Sequence, residues 1–509
     1  MAQPGHATTP FTPGRDTEPV SARQAAPRRL PVLLVVAGCI AVAAAFAISG
    51  NGAPPAPSTG GAVAAIPTVA EPDAVSTSWY CAEGTGAPGG RADETILIAN
   101  EGADDARAVV TVMPGGQNGS ESRRVGVPRG AQVRVPVSSV VQTAEHPDES
   151  GMIVGPGVVV EVFGGQSVVE HEIDGEADTA VGPCARQAGR DWYFAAGTTE
   201  RGAEQNAALF NPFPDDAIVD LTFATDAGFL APADLQAVVV PRHTRVTVPI
   251  ANFVRRQAQV GVHVHVRTGR IVAEQSLVFT ADNETRRGLT LSLGAPSPES
   301  SWSLPGMMPG DGASHVVLVA NFDTSATEVE ITPRFEDQST ARPQAVPVGG
   351  RSVGVFDVAA FAGSGTPVGV DVRTTRPPSA VVVEELAWWG PPAAGTGSAT
   401  MLASPLGASA WTFSVGRPTP EAEGTISVVN PGSRRAKVTL QAYAPGGSDA
   451  PSDVDELTVP AGRQGRFDLG AAGVQPDQVV LVRSSVPVVA GRRILGPPGA
   501  SLALGVAGP

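Results

Sequence analysis

The chain reads as an all-β protein: four tandem Ig-like antiparallel β-sandwich repeats after one N-terminal transmembrane helix. Three observations predict this. Four tryptophans, Trp79, Trp192, Trp302 and Trp411, recur at spacings of 113, 110 and 109 residues, and a fixed period of this kind marks a repeated structural unit. Between them run short alternations of β-branched residues bounded by Gly, Pro and Asp, with no 3.6-residue apolar stripe. Ahead of them, residues 30–48 carry no charged side chain.

Each repeat follows the same order. An asparagine comes 21 residues after the first tryptophan and 19 after the others: Asn100, Asn211, Asn321 and Asn430. An alternating strand follows at 109–112, 218–223, 329–331 and 438–440, then a Val-Pro step at 127–128, 240–241, 346–347 and 459–460. Proline ends a strand because it cannot donate to a ladder. Two further strands close the unit, the first at 158–162, 260–266, 368–372 and 479–482. The second lies at 168–169, 271–272, 381–383 and 488–489. Roughly seven short strands in about 110 residues suit a two-sheet sandwich with its own core. The repeats are bounded at 78–188, 189–299, 300–408 and 409–509. A string of separate sandwiches is expected, with an eight-bladed propeller, two blades per repeat, as the rival. The tryptophans should fill cores or joints, and the asparagines should bond their own turns.

The N-terminal segments place the chain. Residues 1–29 form a disordered cytoplasmic tail and residues 30–48 a signal anchor. Nineteen helical residues span about 28 Å, against a bilayer core of about 30 Å. Arg15, Arg23, Arg28 and Arg29 outnumber Asp16 and Glu18 before the anchor, so the repeats should face outward. Cleavage after Ala47 and lipidation of Cys39 are alternative fates of this segment, and both preserve export. The Pro, Gly and Ala-rich residues 49–77 are expected as a disordered linker. Cys81 and Cys184 flank the first repeat and should form a disulfide in an oxidising compartment. A net charge of −15 without a basic patch argues against nucleic acid.

Little in the chain resembles catalytic machinery. There is no nucleophile elbow, zinc-protease helix, phosphate loop or dinucleotide fingerprint, and no catalytic residue, metal or cofactor is expected. His263 and His265 share one strand face. Aligning the repeats puts Glu161, Asp371 and Leu481 at the position of His265, and no third ligand is in sight, so the pair reads as a solvent face. Glu170, Glu274 and Glu384 recur near the last strands while the fourth repeat has Gly491. A general acid or calcium ligand would need a second recurring carboxylate, so these read as structural or solvent-facing. Trp388-Trp389-Gly390-Pro391-Pro392 has no counterpart in the other repeats. Adjacent tryptophans cannot share a sheet face, which makes Trp388 and Trp389 a candidate binding patch, or a joint between repeats.

Trp79-Tyr80-Cys81-Ala82-Glu83-Gly84-Thr85 and Trp192-Tyr193-Phe194-Ala195-Ala196-Gly197-Thr198-Thr199 resemble the opening motif of an uncharacterised exported, membrane-anchored tandem β-domain family of high-GC Gram-positive bacteria. The run 209–217 (Leu-Phe-Asn-Pro-Phe-Pro-Asp-Asp-Ala) and Ala273-Glu274-Gln275 are similar to its central motifs. The resemblance covers the chain from about Trp79 onward and carries over no catalytic residue. It implies a tethered extracytoplasmic protein, encoded near a large membrane glycosyltransferase, which favours an envelope-glycan role. The expected function is non-enzymatic: binding an envelope glycan or envelope protein, with the cytoplasmic membrane contacted through residues 30–48. The alternative is an envelope-glycan-processing enzyme or an accessory subunit of a membrane glycosyltransferase.

Overall fold

The alternating runs form antiparallel strands in every repeat. The computed structural model describes residues 66–508, apart from 87–92, 116–118, 176–177, 311, 338, 340–341, 377–378, 391–395, 416–418, 445–446, 448–449 and 497–498. The tail, the anchor at 30–48, Cys39 and residues 49–65 lie outside the described residues. The first three repeats contribute two sheets each, and in the fourth the long strand Val480–Gly496 joins the two into one eight-stranded sheet. In the first, the outer sheet runs in the order Ser76–Cys81, Gly157–Phe163, Ala106–Met113, Glu121–Val127. The inner sheet runs Thr179–Pro183, Ser167–Asp174, Asp93–Asn100, Gln132–Pro136. Trp79 pairs with Val160, and Val158, Val160 and Val162 alternate inward while Glu161 and Phe163 stay exposed, the period of a strand covered on one face.

The inner sheets follow a different rule. Ile96, Leu97, Ile98 and Ala99 are all inaccessible, as are Ala207 to Phe210. A continuous apolar run needs cover on both faces. One face packs on the repeat's own outer sheet, the other on the outer sheet of the preceding repeat. The ring of Phe210 lies against Gly157, Val353 against Gly261, and Val429 against Gly369. A Cβ on Gly157 would sit 2.3 Å from Phe210, so the residue must be glycine for the sheets to meet. At the matching place in the fourth repeat, Val479 joins the core of the first.

This two-sided burial corrects the expected string of separate sandwiches. The last strand of each inner sheet, Thr179–Pro183, Gly288–Leu293, Gly397–Leu402 and Gly499–Leu504, packs against the next, and the fourth packs back against the first. The four strands make a hub, and the described residues belong to one compact unit. The cyclic order of the hub strands is that of the propeller alternative. Inner sheets that are apolar on both faces cannot stand alone in water.

The linker expectation also needs correction over its last residues. Thr68 bridges Ala507 in parallel, the Val69 N–H donates to the Ala507 carbonyl at 2.8 Å, and Ile66 is buried. Apolar Ile66, Val69 and Ala70 give this stretch something to bury, unlike the Pro and Gly residues before it.

The asparagines are buried staples. Asn321 Nδ2 donates to the carbonyls of Ser325 (2.9 Å) and Gly349 (3.0 Å), and its Oδ1 accepts the Asp323 N–H (3.0 Å). The same pattern recurs at Asn100, Asn211 and Asn430. Three of the tryptophans also bond: the indoles of Trp192, Trp302 and Trp411 donate to the carbonyls of Ile271, Val381 and Val488. Cys81 and Cys184 form the disulfide, 103 residues apart in sequence. Asn321→Ala is expected to cost about 1–3 kcal/mol by stranding buried backbone groups, read as a lowered denaturation midpoint. An unchanged midpoint would refute the staple.

Candidate functional site

Repetition with exceptions marks where chemistry could lie. The recurring glutamates sit beside the hub, Glu170, Glu274 and Glu384 pairing in register with Pro183, Leu293 and Leu402, and all three are buried. Each reaches into a neighbouring repeat. Glu274 Oε2 accepts the N–H groups of Ala82 (2.9 Å) and Glu83 (2.7 Å), just past Trp79. Glu384 Oε2 accepts those of Ala195 and Ala196, both at 2.6 Å, and Oε1 accepts the Ser292 hydroxyl. Glu170 accepts the Ser414 N–H (2.8 Å) and pairs with Arg492 (2.9 Å), so the first repeat is tied to the fourth.

The fourth repeat explains its own exception. Gly491 holds the place of the glutamate (it pairs with Leu504) and faces Pro305, which has no N–H to offer. A Cβ there would lie 2.8 Å from the proline ring. Gln464 Oε1 instead accepts the Gly306 N–H at 3.2 Å.

The hub holds a feature the sequence reading missed. Asp178 stands where the other repeats have Gly288, Gly397 and Gly499. Its carboxylate accepts the N–H groups of Thr179 (2.9 Å), Leu289 (3.1 Å) and Ala500 (3.1 Å), and that of Ser398. One side chain thus bonds all four repeats. A Cβ on Gly288 or Gly499 would fall 1.8 or 1.2 Å from its oxygens. Burial pushes the carboxyl up to about 7 in spite of these donors. The available signal was a glycine before three hub strands and an aspartate before one.

Charge is concentrated between the first two repeats. His171 lies 3.0 Å from Glu94 and 3.5 Å from Glu274, while Arg245 pairs with Glu83 (3.2 Å) and Glu145. The equivalent pair is Gln205 with Gln275 (2.8 Å) in the second repeat, and His315 with Glu385 (2.6 Å) in the third. Burial alone would depress His171, but Glu274 and Glu94 outweigh it and hold the imidazole up at about 9. Burial raises Glu274 to about 7 and also raises Glu94. A cavity of about 40 Å³ touches His171 and Glu274 and is lined by hub-strand residues and by Ile66 and Pro67.

The remaining sequence candidates lie away from the hub. Trp389 is buried edge-on to His315 at 5.5 Å. Trp388 is half-buried under the Arg286 guanidinium (5.4 Å), which also covers Phe279, so it stands at the joint of the second and third repeats. His263 and His265 face outward, with Val262, Val264 and Val266 behind them. Strand register revises their alignment. Glu161, Arg373 and Arg483 match His265, opposite Ser78, Ser301 and Ala410, whereas Asp371 and Leu481 match His263. A third polar group, Asp191, adjoins both imidazoles; strand pairing brings it there across 72 residues of sequence. No helix among the described residues is long and apolar enough to cross a membrane.

Two outcomes follow from this geometry. A histidine raised from about 6.5 to about 9 contributes stability that is fully present below about pH 6.5 and lost as pH rises through about 9. The melting temperature should therefore fall between pH 7 and pH 9.5, and Glu94→Gln with His171→Gln, the pair native to the second repeat, should flatten that slope. Gly499→Ala should destabilise strongly and recover when combined with Asp178→Gly, in thermal melts of the two variants; no recovery would mean the clash lies elsewhere.

No curated protein matches the chain. A model described as a family of unknown function (DUF5719) matches it twice, over residues 164–278 and 276–501. The matches begin in the first repeat and run through the other three, covering about two thirds of the sequence. The chain therefore belongs to this family of unknown function (DUF5719).

Proposed function

We propose that the chain is a non-enzymatic, membrane-tethered extracytoplasmic protein of the cell envelope that binds a glycan or a partner protein through its tandem β-repeats. Each pair of sheets is read as one Ig-like sandwich, four in all. The observation that carries the reading is the use made of the repeated carboxylates. Glu170, Glu274, Glu384 and Asp178 all accept backbone N–H groups of neighbouring repeats. A general acid or base must reach a proton on substrate, and these groups are buried and committed to the fold. The disulfide supports an oxidising compartment. The tether rests on the uncharged run at 30–48 and the arginines before it. The outer sheets leave one face to solvent, and a ring held this rigidly presents them as a fixed surface, at low ordering cost on binding.

The test is crosslinking of the full chain in intact cells, followed by incubation of the purified chain with the captured envelope glycan. Retention without turnover is expected. Turnover abolished by one carboxylate substitution that leaves the melting temperature unchanged would overturn the proposal in favour of an enzyme.

A further inference from the structure

Asp191, His263 and His265 form a polar cluster on the outer sheet of the second repeat that the matching places of the other repeats do not reproduce. Asp191 opens the strand Asp191–Phe194, and the histidines lie on Val260–Thr268; Asp191 pairs in register with His265, and Tyr193 with His263. Asp191 Oδ1 lies 2.9 Å from His263 Nε2 and 2.9 Å from His265 Nδ1. The three ligand atoms are all within 4.8 Å of one another. In the other repeats the same three places hold Ser78, Val159 and Glu161; Ser301, Asp371 and Arg373; Ala410, Leu481 and Arg483. None of those sets could bind a cation.

We propose that Asp191, His263 and His265 bind one divalent transition cation of the zinc type, from the solvent side of the second repeat. Two imidazoles and one carboxylate suit zinc, nickel, cobalt or ferrous iron, and the nitrogen donors disfavour calcium and magnesium. Donors about 2.1 Å from a tetrahedral ion stand roughly 3.4 Å apart. The two 2.9 Å spacings to Asp191 would open slightly, and the two imidazole nitrogens, within 4.8 Å of each other, would adjust to the same ion. The site is also pre-positioned. The His263 ring stacks on Tyr193 with centroids 4.2 Å apart and 7° between planes, and Phe322 of the third repeat lies 6.0 Å away.

The neighbouring carboxylate does not compete. Asp220 pairs in register with His265 from the strand Ala217–Thr225, but Arg267 (2.6 Å) and the Ala237 N–H (2.8 Å) hold it. The side chains of His263, Asp191 and His265 are 23%, 34% and 50% exposed. The ion would thus keep open positions for water or an oxygen donor of a ligand. Coordination uses the imidazole nitrogens that now face Asp191, so each ring carries its proton on the other nitrogen when the ion is bound. The other described cluster with ligand-type residues, Cys81, His171 and Cys184, has its sulfurs closed in the disulfide.

The test uses the full chain, stripped of metal and kept non-reducing. It is titrated with zinc in a calorimeter and with cobalt(II) followed by visible absorption. One saturable site per chain is expected. Asp191→Asn and His265→Gln should each weaken zinc at least tenfold and alter the cobalt spectrum, with unchanged melting temperature in the absence of metal. His243→Asn, at an exposed histidine outside the cluster, should bind as wild type. No saturable uptake by wild type, or uptake unaltered in Asp191→Asn and His265→Gln, would overturn the site and leave a hydrogen-bonded surface cluster.

Discussion

The fold depends on a buried carboxylate of one repeat accepting the backbone N–H groups that open its neighbour. A strand entering a packed interface brings amide groups that water can no longer reach, and each left unpaired costs several kcal/mol at worst. Glu274 and Glu384 answer this for the first and second repeats, and Glu170 does so for the fourth. The third repeat has Pro305 at the first of these places, where no N–H needs an acceptor and Gly491 fills the space, and Gln464 accepts the Gly306 N–H that follows. Exception and counter-exception lie on different repeats and meet only at the junction.

Burying a carboxylate is itself unfavourable, and the structure compensates in more than one way. Multiple N–H donors serve Glu384 and Asp178, and charge-assisted bonds of this kind are the strong ones. A bidentate arginine serves Glu170, with Arg492 at 2.9 and 3.1 Å. Between the first two repeats four glutamates share one arginine and one histidine, and that histidine keeps its proton well above neutral pH. Removing one partner from such a set leaves a stranded charge, so the junction is specific as well as stable.

Much of the repeat unit was legible in sequence. The tryptophan period, the strand alternation, the asparagines and the cysteine pair each act within one repeat, and local spacing reveals them. Ring closure entered only as the rival propeller, although its signal was present. The unbroken apolar runs at 96–99, 207–210 and 317–320 depart from the alternation of the outer strands, and such runs mean burial on both faces. Asp178 and Asp191 escaped because their partners come from other strands: three further repeats for one, a strand 72 residues later for the other. The tail of the linker escaped because its few apolar residues, Ile66, Val69 and Ala70, follow a Pro and Gly-rich stretch and leave little pattern to read.

The closed ring also shapes what the protein can offer a partner. Its hub strands pack against one another and its junction carboxylates are occupied, which leaves the outer faces and the loops between them for the recognition proposed above. The most direct check of the account is the size in solution of residues 60–509, by small-angle X-ray scattering. A ring closed through the hub should give a radius of gyration of about 22–25 Å, the value for one compact body of this length. A flexible string of four separate domains would give about 40 Å or more, and a value near that would contradict closure between the first and fourth repeats.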